Sequence, residues 1–322
     1  MRSRYVWTPL ALVAFLGAGP LVCQNVPGVT YADQPQGIEW AVYANVWPEL
    51  QPYAADPPHH AGDGVRAALE QRAKSKDVSG GELNLLAQLE WQHGDLAAAD
   101  AAIARAVALQ PNHPLHAFQQ AMIAFAHLRQ ATWSLERWLW QNRTLDAYRR
   151  TLELDPKNVS ARYYLAYSYL NTPAIGGGSS AKALTLAEGG VALGQKEFYA
   201  VRADVHRVRG ERALANADYD TSIAARVIKL DGLLSAAAEA LKTGDRDRAK
   251  KYLDWAAYCR NDSAGPFAGL GDYYAKLNHV EAAKANYELA LRKRPSADLT
   301  PQTVLFRGSV QKKLEQLTAA RR

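Results

Sequence analysis

Three patterns of apolar and polar positions divide this chain. The first is an apolar run. Arg2 and Arg4 precede Tyr5 to Val22, YVWTPLALVAFLGAGPLV, which carries no charge, and the next charged residue is Asp33. A basic start, an apolar centre and a small-residue exit are the layout of an export signal. Thr30-Tyr31-Ala32 sets the expected cleavage after Ala32. Acylation of Cys23 is an alternative, although Val22 stands where a Gly, Ala or Ser normally precedes such a cysteine. The other alternative is an uncleaved anchor. Eighteen residues reach ~27 Å as a helix against a hydrocarbon core of ~30 Å, and Pro9 and Pro20 weaken the span.

The second pattern is a periodicity of small and aromatic positions. Gly210, Gly244 and Asn278 stand 34 apart, as do Ala203, Ala237 and Gly271, and also Ala215, Ala249 and Ala283. Ser222, Ala256 and Ala290 keep the same step, and so do Tyr219, Leu253 and Tyr287. Five columns of small and aromatic residues in step mark a repeated unit of 34 residues. The third pattern closes the chain. Thr300-Pro301 reads as an N-cap followed by Pro at the first helical position. Val304, Leu305, Leu314 and Leu317 then form an apolar stripe, with Lys312, Lys313 and Glu315 expected toward water.

The segment GPFAGLGDYYAKLNHVEAAKANYELALRKRP resembles the tetratricopeptide repeat column by column. Phe267 stands at the first aromatic column, Leu270-Gly271 at the Leu-Gly pair and Tyr274 at the aromatic of the first helix. Ala283, Tyr287 and Ala290 hold the second helix, and Pro295 ends it. Working outward gives six units, at about 80–113, 114–158, 159–195, 196–229, 230–263 and 264–297. The second is some eleven residues too long, its surplus ATWSLERWLWQ expected to lengthen both helices or add a turn. In the third, NTPAIGGGSS replaces the tight turn. The resemblance implies an all-α, right-handed superhelix of about six helix-turn-helix repeats, with residues 298–322 as a capping helix over the exposed end. Residues 1–32 are the expected signal and 33–79 an N-terminal extension. In that extension GIEWAVYANVWPEL is a short helix, DPPHHAGDG a loop, and GVRAALEQRAK a helical stretch able to cap the first repeat.

Composition narrows the chemistry. Of 322 residues 48% are hydrophobic and 22% charged, a globular balance. The net charge of +6 comes from cations interleaved with acids, so no basic face for nucleic acid is expected. Two cysteines, Cys23 and Cys259, exclude a disulfide framework and a cysteine-based zinc site, and Cys259 in WAAYC is expected to be buried and structural. Gly176–Gly178 with Ser179-Ser180 lacks the ending of a phosphate loop and reads as an enlarged turn. His59-His60 lies in a Pro-rich loop without a carboxylate at ligand spacing, and His113 and His116 read as helix-start residues. No catalytic residue, metal ligand or cofactor site is expected.

What remains is binding. The family resemblance implies a protein or peptide partner held on a concave face built by the first helix of each repeat. Its columns fall on Asn84, Gln88 and Trp91, then Leu115, Phe118, Met122 and Phe125, then Tyr163, Tyr167 and Leu170. In repeats four to six the same columns hold the smaller and more polar Asp204, Arg207, Asp231, Leu234, Ala238, Asp272 and Ala275. The first half is the expected groove. Trp133, Arg137, Trp138 and Trp140 form a second candidate, a docking patch in the insertion. The expected function is a non-catalytic scaffold in the periplasm or envelope, an adaptor in assembly or secretion. The alternative is a cell-wall or carbohydrate accessory factor that uses the Trp-rich insertion. A membrane enters only through a retained leader or a lipid on Cys23.

Overall fold

The computed structural model describes residues 30–31, 63–261, 263–293 and 301–319. The apolar run, Cys23, His59-His60 and the expected helix GIEWAVYANVWPEL lie outside the described residues. The chain divides into two compact units at Leu193/Gly194. In the first unit α1 (Asp63–Arg72) precedes three helical hairpins. They are α2 (Gly80–His93) with α3 (Leu96–Leu109), α4 (Pro114–Gln130) with α5 (Ser134–Leu154), and α6 (Val159–Asn171) with α7 (Ser180–Ala192). The second unit holds α8 (Phe198–Val208) with α9 (Arg212–Ala224), α10 (Leu230–Thr243) with α11 (Arg246–Cys259), and α12 (Ala264–Lys276) with α13 (Val280–Arg292). The helix α14 (Pro301–Ala319) follows and packs on α13.

A backbone rule sets the tight turns. The helix α2 ends on Gly94 at φ 87°, α8 is followed by Gly210 at 77°, α10 by Gly244 at 90° and α12 by Asn278 at 58°. In each, the next amide reaches back five residues: Asp95 N–H to Glu90 O, Glu211 to His206, Asp245 to Ala240 and His279 to Tyr274, all at 2.9 Å. This is the left-handed C-terminal turn that satisfies the last carbonyls of a helix, and Gly or Asn adopts it most readily. Asp95 and Asp245 then cap the following helices by accepting from the Ala98 and Arg248 amides.

Small residues let the paired helices meet. Ala203 and Ala237 are buried opposite Tyr219 and Leu253 in one continuous core. A Cβ on Gly271 would stand 2.4 Å from the ring of Tyr287, so hydrogen is the largest substituent that fits without displacing the ring. The Tyr219 and Tyr287 hydroxyls donate to Asp204 and Asp272 at 2.5 and 2.6 Å, and Lys229 and Lys313 pair with the same two carboxylates. Lys313 therefore does not simply face water. The side chains of Val304 and Leu305 lie outside the described residues. Lys312 and Glu315 are exposed, and Val310, absent from the expected stripe, is buried. Leu314 and Leu317 pack beside it against Ala264, Ala268 and Ala290.

Two hairpins depart from the common form. The helices α4 and α5 run 17 and 21 residues, against 13 or 14 for the other hairpin helices of the unit. The surplus lengthens both. Between α6 and α7, a 3-10 turn at Ala174–Gly176 leads to Gly178, where a Cβ would lie 1.7 Å from the Thr172 carbonyl oxygen. That close approach accounts for the glycine run as a turn.

The second unit also contains a short parallel pairing that the repeat pattern does not predict. β1 (Thr30–Tyr31) lies beside β2 (Val227–Ile228), the link between α9 and α10, with Thr30 opposite Val227 and Tyr31 opposite Ile228. Cleavage after Ala32 would remove β1.

The helix crossing and the pairing are both open to test. Gly271→Leu should cost about 1–3 kcal/mol by overpacking Tyr287. Leu270→Ala should cost about 2–5 kcal/mol through the cavity it leaves, whereas the exposed Lys276→Ala should stay within about 0.5 kcal/mol in thermal unfolding. A chain that begins at Asp33 should lose hydrogen-exchange protection at Val227 and Ile228. Unchanged protection there would mean that β1 contributes nothing to the fold.

Candidate functional site

The first helices of the first unit, α2, α4 and α6, carry the expected groove residues. Asn84 is fully buried and holds α2 to the start of α4, its Nδ2 donating to the Leu115 carbonyl (3.4 Å) and to His116 Nδ1 (2.9 Å). His116 Nε2 lies 2.9 Å from Gln110 Oε1. An acceptor on Nε2 and a donor on Nδ1 together select the neutral Nε2–H ring. Burial, reinforced by His113 with its ring 4.6 Å away, pushes the His116 pKa down to about 4. His113 does sit at the N-cap of α4, without a side-chain capping bond, while His116 is a buried residue of the first turn.

The aromatic residues are brought together through partners from α5 and α6. Phe118 meets Tyr148 at 6.2 Å between ring centres, Tyr148 stacks on Tyr164 at 5.8 Å, and its hydroxyl donates to Met122 Sδ at 3.1 Å. Tyr164 meets Tyr163 edge-on at 5.3 Å, and Tyr163 meets Tyr167 at 4.7 Å. Phe118, Met122 and Tyr163 are only 4%, 3% and 4% exposed, so they are packed residues and not open anchors. Gln88, Trp91, Phe125 and Tyr167 are half-buried and are the accessible part of this face.

Polar capacity remains unspent on the same helices. Asn84 Oδ1, Gln88 Oε1 and Gln92 Nε2, one turn apart on α2, are buried atoms with no hydrogen-bond partner, as is Gln119 Nε2 on α4. Each such atom typically costs about 1–3 kcal/mol. Gln92 and Gln119 are not in the expected groove set. Their signal was the recurrence of long amides at one-turn spacing on a face otherwise apolar.

In the insertion, Trp140 turns inward and stacks flat on His127, 3.9 Å between ring centres, with Arg143 over its ring at 4.7 Å. Trp133 and Trp138 face out, 76% and 50% exposed, and Arg137 donates to the Ala131 carbonyl. The second unit offers a different surface from the one its sequence suggests. Asp204, expected as a small polar residue facing a ligand, is 1% exposed and tied to Tyr219 and Lys229. Burial pushes the Cys259 thiol up to about 12, which leaves it protonated and unreactive at neutral pH. Among the described residues no group of three His, Cys, Asp or Glu could hold a metal ion, and no helix is long and apolar enough to cross a membrane.

Stacked helical hairpins, each closed by a left-handed turn and a small-residue crossing, define a helical repeat protein. Residues 267–296 match the tetratricopeptide repeat, and the fold of the chain is that of tetratricopeptide repeat proteins. A tetratricopeptide repeat protein from Parabacteroides merdae superposes over 86% of this chain and 98% of its own, with a TM-score of 0.57 at 13% identity. PilW, a widely conserved type IV pilus biogenesis factor, covers 72% of this chain with 100% of its own, with a TM-score of 0.52 at 16% identity. The Cut9–Hcn1 assembly of the APC/C gives a TM-score of 0.54 at 10% identity, over 86% of this chain and 51% of that one. No curated protein matches the sequence.

The buried histidine makes stability depend on pH in a definite direction. Above pH 6.5, the usual histidine value, His116 is neutral in both the folded and the unfolded chain and there is no penalty. As pH falls toward about 4, the unfolded chain binds a proton that the folded chain refuses. Stability is therefore lost across that window, by about 3 kcal/mol from this group. His116→Gln should lose less stability between pH 7 and pH 4 in denaturant titrations. An equal loss in both proteins would remove His116 as the cause.

Proposed function

We propose that this protein is a non-catalytic, exported scaffold that binds an extended peptide of a partner protein along α2, α4 and α6. The observation that carries this reading is the set of half-buried residues Gln88, Trp91, Phe125 and Tyr167, spread over the first helices of three successive hairpins. Apolar and aromatic side chains of this kind can hold the side chains of an extended peptide and supply selectivity. Phe118, Met122 and Tyr163 support this surface from below.

The apolar N-terminal run, with its two leading arginines, supports export, and we place the protein in the periplasm or envelope. The cellular task we favour is that of an adaptor in envelope assembly or secretion. PilW, a pilus biogenesis factor, is an instance of this fold in such a setting.

A phage-displayed peptide library selected on the full chain should enrich a family of related sequences. Trp91→Ala, and separately Tyr167→Ala, should each weaken the enriched peptide by about 2 kcal/mol in calorimetry, with Tm nearly unchanged. If these variants bind the peptide as tightly as the parent, or lose only Tm, the assignment of this face is wrong.

A further inference from the structure

The lengthened second hairpin ends in an apolar tip that no described element covers. The helix α4 begins and α5 ends at ordinary repeat junctions, Pro114 after Pro111 and Leu154 before Pro156, so the surplus residues lie at the turn that joins them. Seven extra residues carry α5 about 10 Å beyond its fourteen-residue counterpart α3. At that end Trp133, Leu135, Trp138 and Leu139 are 76%, 68%, 50% and 48% exposed. Leu135, Trp138 and Leu139 follow i, i+3, i+4 spacing and share one face of α5, while Trp140 turns away from it to stack on His127. The placement of Trp140 fixes the rotation of the helix, so the outward face is apolar by construction.

The charges around the tip are predominantly positive. Arg129, Arg137 and Arg143 are exposed, and the only carboxylate between His127 and Leu145 is Glu136, which is half-buried. We infer that this tip inserts into the interfacial layer of an anionic lipid bilayer, with Trp133, Trp138, Leu135 and Leu139 among the headgroups and acyl ends and the arginines on the lipid phosphates. Exposed tryptophan beside leucine is the composition that partitions to the boundary between water and hydrocarbon. An insertion of about 5–10 Å matches the length by which the hairpin is extended. A carbohydrate site would call for tryptophan faces lining a concavity with hydrogen-bonding side chains between them. Here the tryptophans stand on a projecting end and cations surround them. Attachment at this tip is independent of any N-terminal anchor and leaves the amide-bearing face of α2 and α4 to its own ligand.

The test reports from the tip itself, so that lipid binding by the N-terminal run cannot imitate it. In the full chain, Cys23→Ser with Leu139→Cys places one reactive thiol on the tip, because Cys259 is buried. It is labelled with an environment-sensitive nitrobenzoxadiazole dye. Vesicles of phosphatidylcholine with phosphatidylglycerol should shift its emission to shorter wavelength, an effect weakened by salt and much smaller with phosphatidylcholine alone. Adding Arg129→Gln and Arg137→Gln should weaken the vesicle titration about twenty-five-fold, at about fivefold per cation, with unchanged helical circular dichroism. Emission that ignores the vesicles overturns the inference. So does an equal shift on neutral vesicles, or a shift produced by peptidoglycan sacculi or by excess unlabelled protein instead.

Discussion

The close crossing of two helices within each hairpin is the constraint on which the rest of this structure depends. Helices approach until their facing side chains touch, and here a column of alanine and glycine lets one large residue of the second helix lie against the backbone of the first. Tyr287 fills the space that a Cβ on Gly271 would need, and Tyr219 and Leu253 are buried in one core with Ala203 and Ala237. The large residue gains nearly complete burial, which is worth about 1.5–3 kcal/mol for a side chain of this size. The crossing also fixes the rotation of each helix about its axis, and that rotation decides which residues can meet a ligand.

Turn geometry converts this local constraint into a register. A residue at positive φ after the first helix, followed by an amide that reaches back five residues, gives four of the six hairpins the same turn. Because the turn has one conformation, the second helix begins at a fixed distance from the crossing, and the large residue arrives opposite the small one. The tyrosines carry a further demand, since their hydroxyls are buried or nearly so and must be bonded. Asp204 and Asp272 meet it, and Lys229 and Lys313 balance the carboxylates. A polar group at a column that the repeat pattern assigns to the ligand face is in this way recruited into the core.

The readable and unreadable parts of the sequence divide along the same line. The period, the turn residues Gly210, Gly244 and Asn278, and the crossing at Gly271 obey rules of backbone and size within one hairpin, so they are visible in the residues themselves. The burial of Phe118, Met122 and Tyr163 depends on Tyr148 and Tyr164, contributed by other helices of the unit. No spacing within α4 reveals that. Lys313 reads as a solvent-facing residue when α14 is taken alone, and becomes an ion-pair partner only once α12 is beside it. The pairing of Thr30–Tyr31 with Val227–Ile228 joins positions far apart in the chain and has no counterpart in the repeat columns. Which residues share the first helices was legible, but not which of their side chains are accessible.

The places where the chain departs from its own rules are therefore informative. A buried amide without a partner and an exposed tryptophan both lower stability, and neither is needed to close a hairpin. In the first unit two groups of them stand apart. Asn84, Gln88 and Gln92 lie on α2 with Gln119 on α4, while Trp133, Leu135, Trp138 and Leu139 gather at the far end of α4 and α5. Lengthening one hairpin achieves that separation, because the added turns move the tryptophans beyond the helices on either side without disturbing the crossing below them. His127 and Trp140 form the boundary, a flat stacked pair that ends the packed part of the hairpin and begins the projecting part. A repeat unit has few other places to add a surface, since its lateral faces are already committed to neighbouring hairpins.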